Sequence, residues 1–456
     1  MTNTNLPTHL SQRLSQRLMA LSNVKAICFI FTVLISFNLA QVGMARDWYV
    51  SANTGGGRTG SIDEPAKEIS NIVRELAAGD RIFVAEGIYT GRGDSGHDLI
   101  NVPVEIYCGY DTSFSQRDPW GAHASVFSGE NTSSNASSDY RLKIDLSKDR
   151  NYEQDIVVVD GCIFDNGNRN HYQDDRELLL IRSASPASGN NPSPESGGLQ
   201  VKLAHEDTLI VRNNIVLNTA PTVGAFSLWG HQNSLVTVEN NLAINNTGNG
   251  FALHTQWRSA SEITQFNFSN NASLFTEKHD AYGNIGGSAL IVDNELSVDI
   301  SSSVLAFSDN VAINNAAQAE EMSLANSVVF GSLVADYLEF DIFMSADEIL
   351  DDAYYLYDEG GNSSEPITLP VSEAFQEAYL ARSVLDRNAI ETSVNPEDSY
   401  ANAWRSILGL NLQAGTVTID SDVWLPRLSL EEALTVAGSF AELGVGPQVA
   451  VTRLLP

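Results

Sequence analysis

The chain is 456 residues long and carries 26 Lys+Arg against 57 Asp+Glu, a formal net charge of −31 at pH 7. So acidic a surface repels nucleic acid and anionic membranes, and neither is an expected partner. With 43% hydrophobic residues the chain has material for a large core, and three cysteines are too few for a disulfide-stapled miniprotein.

Residues 1–45 read as an export signal peptide. Arg13, Arg17 and Lys25 precede an apolar run from Ala26 to Ala40, and Gly43-Met-Ala45 supplies small residues for cleavage. The run is short for a membrane span, and no later segment is apolar enough for one, so no stable membrane insertion is expected after cleavage. Translation from Met19 would leave a more ordinary signal. Cys28 lies inside the apolar run, where no lipoprotein cysteine belongs. The mature chain keeps 23 basic and 57 acidic residues, a net of −34. Export places it as a secreted, periplasmic or cell-surface protein. Acidity keeps a long, edge-bearing β protein soluble, and its oxygen ligands admit Ca²⁺ as a cofactor, although no acidic cluster has calcium-loop spacing.

Residues 46–91 form a start module: strand Trp48-Tyr-Val50, a Gly-rich turn around Gly55-Gly-Gly57, a helix from about Pro65 to Ala78, and a strand from Arg81 to Ala85. Ile69, Ile72, Val73 and Leu76 share one face of that helix, which suits it to cap an open solenoid end. Gly55-Gly-Gly57 lacks the Lys-Ser/Thr pair of a phosphate loop. Cys108 and Cys162 each sit in an apolar strand, where they either pair as a disulfide or serve as small buried hydrophobes.

Further on, one phrase recurs: Val211-Arg-Asn-Asn-Ile-Val-Leu217, Val238-Glu-Asn-Asn-Leu-Ala-Ile244 and Phe268-Ser-Asn-Asn-Ala-Ser-Leu274. Weaker copies begin at Val159, Ile300 and Leu324. From Val211 the copies start 27, 30, 32 and 24 residues apart, the spacing of a stacked solenoid. Each copy is strand, corner, strand. Asn tolerates the left-handed backbone of a sharp corner, and Gly161 and Ser302 are small substitutes. Stacked at about 4.8 Å, corner amides can also form a hydrogen-bonded ladder. Between copies run Ala225-Phe-Ser-Leu-Trp229, Phe251-Ala-Leu-His-Thr255 and Ala289-Leu-Ile-Val292, which alternate as strands do. The expected fold is all-β: a right-handed parallel β-helix over residues 46–340, with an N-terminal capping helix and a mixed α/β C-terminal cap.

The segments Tyr49-Val-Ser-Ala-Asn53, Gly79-Asp-Arg-Ile-Phe-Val84 and Glu86-Gly-Ile-Tyr89 resemble the opening of exported proteins of the pectate-lyase-like superfamily of parallel β-helices. Glu105-Ile-Tyr-Cys-Gly-Tyr110 and Phe114-Ser-Gln-Arg-Asp-Pro119 resemble a motif that follows it in a bacterial subset. The resemblance implies the fold and leaves activity open, because members include lyases, epimerases, hydrolases and adhesins.

Ser183 to Gly198 reads as a loop on the solenoid wall. Residues 341–456 turn acidic, with capping boxes at Ser345-Ala-Asp-Glu348 and Ser429-Leu-Glu-Glu432 and a third amphipathic signal at Phe375, Ala378 and Tyr379. This region is expected to cover the open end of the solenoid.

Solenoids bind polymers along their outer walls, and the richest rungs follow the second strand family. Trp229, His231, Gln256 and Trp257 are the candidate substrate-binding residues, by aromatic stacking and hydrogen bonding. His254, Arg258, Lys278, His279 and Tyr282 are the candidate catalytic residues, since β-elimination needs a cation, a base and an acid. Glu277-Lys-His-Asp280 faintly resembles the Asp-Pro-His-Asp motif of mannuronan C5-epimerases, with only His279 and Asp280 matching. Hydrolysis would need two carboxylates, for which Asp174, Asp175 and Glu177 are candidates by type alone. Polygalacturonase and pectate-lyase signatures are absent. The expected function is binding of extracellular or envelope polysaccharide, with processing of lyase, epimerase or hydrolase type, or else a non-catalytic adhesion solenoid. The oligomeric state is not encoded in any pattern found.

Overall fold

The computed structural model describes residues 45–57, 59–91, 97–129, 140–148, 154–165, 197–219, 221, 223–256, 262–277, 286–293, 295–332, 334–345, 348, 353–372, 375 and 428–453. Residues 1–44 of the expected signal peptide and 183–196 of the expected wall loop lie outside them. From Arg46 onward the described residues form one compact unit.

Its architecture is a right-handed parallel β-helix of three sheets. Among the described residues sheet A has ten strands, from Asp47–Val50 to Tyr357–Gly360; sheet B has eight, from Gly87–Tyr89 to Val328–Phe330; sheet C has nine, from Asp98–Ile100 to Ile342–Met344. One coil shows the logic. Thr208–Arg212 lies in sheet A, Ile215–Leu217 in sheet B and Phe226–Gly230 in sheet C, and Leu235–Glu239 then pairs in parallel with Thr208–Arg212. Neighbouring strands are parallel throughout, except that Ile342–Met344 folds back antiparallel on Ala335–Glu339 and ends sheet C.

Side-chain alternation decides what enters the core. Leu209, Val211, Val216, Phe226 and Leu228 point inward and are fully buried, and Phe226 stacks on Phe251 of the next coil at 4.6 Å. Each such side chain contributes about 1.5–3 kcal/mol. Sheet B differs in being apolar on both faces. Val216 joins the core, whereas Ile215 and Leu217 belong to an outer apolar cluster. A continuous apolar triplet is the pattern of a strand covered on both sides.

The paired asparagines do two different jobs. The first of each pair takes the left-handed conformation: Asn213, Asn240 and Asn270 have φ of 58°, 57° and 52°, and Gly161, Ser302 and Asn326 occupy the same place in other coils. The second builds an internal ladder. Asn241 Oδ1 accepts from the backbone N–H and the side-chain Nδ2 of Asn214, both at 3.0 Å, and Asn271 Oδ1 accepts in the same way from Asn241. The ladder continues through Ser303 and Ser327 to Asn362. Thus each buried corner amide, which would be costly unpaired, is satisfied by the coil beside it.

The stretch Glu105–Pro119, singled out by resemblance, is a structural lock. Arg117 and Asp160 form an ion pair with no solvent exposure of either side chain. Arg117 also donates to the carbonyls of Cys108 and Thr452, while Asp160 accepts from Arg212 and from Asn213, each at 2.8 Å. Gly109 has φ of 90°, and a Cβ there would sit 2.3 Å from Pro119. Cys108 and Cys162 form a disulfide with Cα atoms 5.0 Å apart, which settles the alternative left open by sequence.

Two expectations are revised. The helix expected over Pro65 to Ala78 is a single 3-10 turn, Ile69–Asn71, followed by further turns. Ile69, Ile72 and Leu76 are still buried against the core, so apolar spacing identified the capping surface but not its backbone form. The tail is also placed differently. At the end of the solenoid Met344 and Leu356 enter the core. The segment 428–453 instead runs along the outside of sheet B as a strap. Its helix Leu430–Leu443 starts at the Ser429/Glu432 capping box and ends at Gly444 with φ of 68°. Ala433, Val436, Ala437 and Phe440 join the outer apolar cluster with Leu217, Ile244 and Leu274. Polar contacts fix the strap: Leu428 to Asn218, Gly446 to Ser302, Gln448 to Asn240 and Thr452 to Arg117. The apolar outer face of sheet B supplies the reason, since it needs a cover.

Candidate functional site

The strap occupies the outer face of sheet B, which leaves the outer faces of sheets A and C. On sheet A, Tyr49, Phe83 and Tyr107 stack on one another at 5.4 and 5.8 Å, so their ring faces are used internally. Sheet C carries a column of outward polar and aromatic groups. Its register aligns Asp145, Lys202, Trp229 and His254 on successive coils, all pointing outward because Ile144, Val201, Leu228 and Leu253 point in.

This column is packed along its length. Lys202 Nζ lies 4.9 Å from the centre of one Trp229 face, and the His254 imidazole stacks on the other with centroids 4.3 Å apart. Trp229 Nε1 donates to Ser227 Oγ at 2.8 Å, and Gln200 Nε2 donates to the same oxygen. Trp229 therefore presents an edge, not a free face. His254 Nδ1 is 3.5 Å from Asp293 Oδ2 in the next coil, while Nε2 is buried with no hydrogen-bond partner among the described residues. Lys143 stands on the adjacent outward column beside Gln200. The face thus combines two ammonium groups, the Asp145 carboxylate, an edge-on indole and an imidazole whose Nδ1 faces Asp293, groups of the kind that recognise hydroxyls and carboxylates.

The other sequence candidates fall as follows. His231 lies at the corner after sheet C, where its Nδ1 accepts from the backbone N–H of Gln232 and its ring is 6.2 Å from that of His205. Burial first, then the neighbouring His205, pushes its pKa down, so its neutral form is favoured. Gln256 donates to the carbonyl of Leu203 at 2.9 Å, a contact that ties one corner to another. Trp257, Arg258, Lys278, His279 and Tyr282 lie outside the described residues, as do Asp174, Asp175 and Glu177. Reading the sequence alone did not find Lys202, Asp293, Lys143 or Asp145. The available signal was the coil period: counting back 27 residues from Trp229 reaches Lys202. Among the described residues no three His, Cys, Asp or Glu side chains are grouped to hold a metal ion.

No protein-family model matches the chain, and no curated protein sequence matches it. Among solved structures it is similar to pectate lyase Pel9A, with 13% identity and a TM-score of 0.38, over 86% of this chain and 97% of that one. It is also similar to XylC in complex with xylose, with 10% identity and a TM-score of 0.26, over 64% and 69% of the two chains. Similarity at this level bears on neither activity nor substrate, and the fold is read from the strand order and ladders above.

Proposed function

We propose that this protein is an exported β-helix that engages extracellular or cell-envelope polysaccharide along the outer face of sheet C. The observation that carries the reading is the Lys202–Trp229–His254–Asp293 column. It is a run of outward groups for binding a linear chain, repeated at the strand spacing. The disulfide in the core supports folding in an oxidising compartment, in keeping with export. Lys143 and Lys202 give this wall two cationic groups beside Asp145 and Asp293, and these can pair with the carboxylates of an anionic glycan.

If the protein processes its glycan, the described candidate for the base of lyase and epimerase chemistry is His254, whose Nδ1 faces Asp293 and whose buried Nε2 must be uncovered to meet the ligand. The hydrolytic alternative fits the column poorly. Asp145 and Asp293 stand four strands apart along it, about 19 Å at the strand spacing. Paired glycosidase carboxylates work at roughly 5–9.5 Å. A non-catalytic adhesion solenoid is the second reading, favoured by the structural employment of Gln256 and of both faces of Trp229. Incubation of the mature protein with uronate and neutral glycans, with and without Ca²⁺, separates the two. Unsaturated or epimerised product abolished by His254→Ala supports processing, and binding without turnover supports adhesion. Failure to bind any glycan in the panel would overturn both.

A further inference from the structure

The C-terminal end of the solenoid differs from the rest of the described surface. Phe340, Phe343, Tyr354 and Tyr357 are 41%, 53%, 75% and 62% exposed, and every other described aromatic side chain is buried or half-buried. All four lie within one hairpin and the segment that follows it. Phe340 sits at the hairpin turn with φ of 53°, Phe343 on the terminal strand of sheet C, and Tyr357 on the terminal strand of sheet A.

These rings are held in place by a dedicated support. Glu339 is 1% exposed, yet its carboxylate accepts from the backbone N–H groups of Tyr354 and Tyr355, both at 3.0 Å, and from Tyr337 Oη at 3.1 Å. Tyr337 Oη in turn accepts from Asn315 Nδ2. A buried carboxylate thus fixes the backbone that presents Tyr354. The ring of Tyr355 contacts both Phe340 and Tyr354 edge to face, at 5.1 and 4.9 Å. Tyrosine offers a large amphipathic contact at little entropic cost when so preorganised.

Charge narrows the occupant. Residues 279–381 contain no Lys or Arg and 19 Asp+Glu, and Asp341, Asp358 and Glu359 flank the exposed rings. A polyanion is repelled here. A second copy docking end to end would bring like charges together on the terminal strand Tyr357–Gly360, the usual protection of an exposed edge.

We propose that this end is a second glycan-binding site, for uncharged polysaccharide, whose sugar rings pack their C–H faces on Tyr354 and Tyr357. It acts apart from the sheet C wall and holds the protein on a neutral matrix. The test measures binding of the full chain to cellulose, chitin and linear β-glucan, with polygalacturonate and alginate as anionic controls, at low and high salt. The expected result is salt-insensitive binding to an uncharged glycan that falls at least tenfold in Tyr354→Ala and Tyr357→Ala. Trp229→Ala and His254→Ala should leave it unchanged, so its failure and that of the sheet C reading are distinguishable. Unaltered melting curves for the tyrosine variants exclude a folding effect. Absence of uncharged-glycan binding, binding unaffected by both tyrosine substitutions, or a self-association lost in those variants would each overturn the proposal.

Discussion

Trp229 and His254, 25 residues apart in sequence, lie face to face with ring centroids 4.3 Å apart and planes inclined by 26°. The coil length between Phe226–Gly230 and Phe251–Thr255 puts them in register, and Lys202 completes the stack on the other side. The wall therefore has its polar groups fixed before any ligand arrives, which is what binding a polymer with little ordering cost requires.

The two members of each asparagine pair should respond differently to mutation. Asn270 has φ of 52° and serves the corner by conformation, so Asn270→Gly should change stability by only a few tenths of a kcal/mol, whereas Asn270→Val should cost about 1–3 kcal/mol. Asn271 is a ladder member, accepting from Asn241 and donating to the Val238 carbonyl. Asn271→Ala leaves buried partners unpaired and should cost about 2–4 kcal/mol. Urea midpoints of the three variants check this order.

The Cys108–Cys162 disulfide closes a loop of 54 residues and is fully buried. Chain-entropy reasoning gives about 4 kcal/mol for a loop of this size. The double Cys→Ser variant should lose stability on that scale, while reductant should leave the native protein intact until it unfolds. Thiol labelling across a denaturant series measures both effects.

Near the N-terminal end, burial first, then the neighbouring Asp98, raises the Glu68 carboxyl from 4.5 to about 7, with Arg141 acting in the opposite sense. Among the described residues one Glu68 oxygen and one Asp98 oxygen have no hydrogen-bond partner, and Arg141 donates to the other Asp98 oxygen at 3.3 Å. The folded state thus holds this proton more tightly than the unfolded chain. The contribution is fully present below about pH 4.5 and is lost as the pH rises through about 7. Subtracting the stability–pH curve of Glu68→Gln from that of the wild type should show this loss, and a flat difference would contradict it.

The fold was legible because the solenoid repeats its rules. Asn-Asn marks the corners at 213–214, 240–241 and 270–271, and the period between copies is the coil length. The capping surface was legible in Ile69, Ile72 and Leu76, but the 3-10 backbone was not, because apolar spacing reports which side chains are buried rather than how the chain turns between them. The strap was missed for a related reason. Triplets such as Ile215-Val-Leu217 do say that sheet B is covered outside, yet nothing local names the segment that covers it. On the wall, Trp229 and His254 stood out as residue types, whereas Lys202 and Asp293 gain meaning only from register with them.

Affinity of the sheet C wall for glycan tests the central claim most directly. Calorimetric titration of wild type, Lys202→Ala, Trp229→Ala and His254→Ala with uronate oligosaccharides is the measurement. The predicted result is binding by the wild type that each substitution weakens by about tenfold, the size expected for loss of one well-placed contact of about 1.4 kcal/mol. Equal affinity across the four proteins would contradict the assignment of function to this wall.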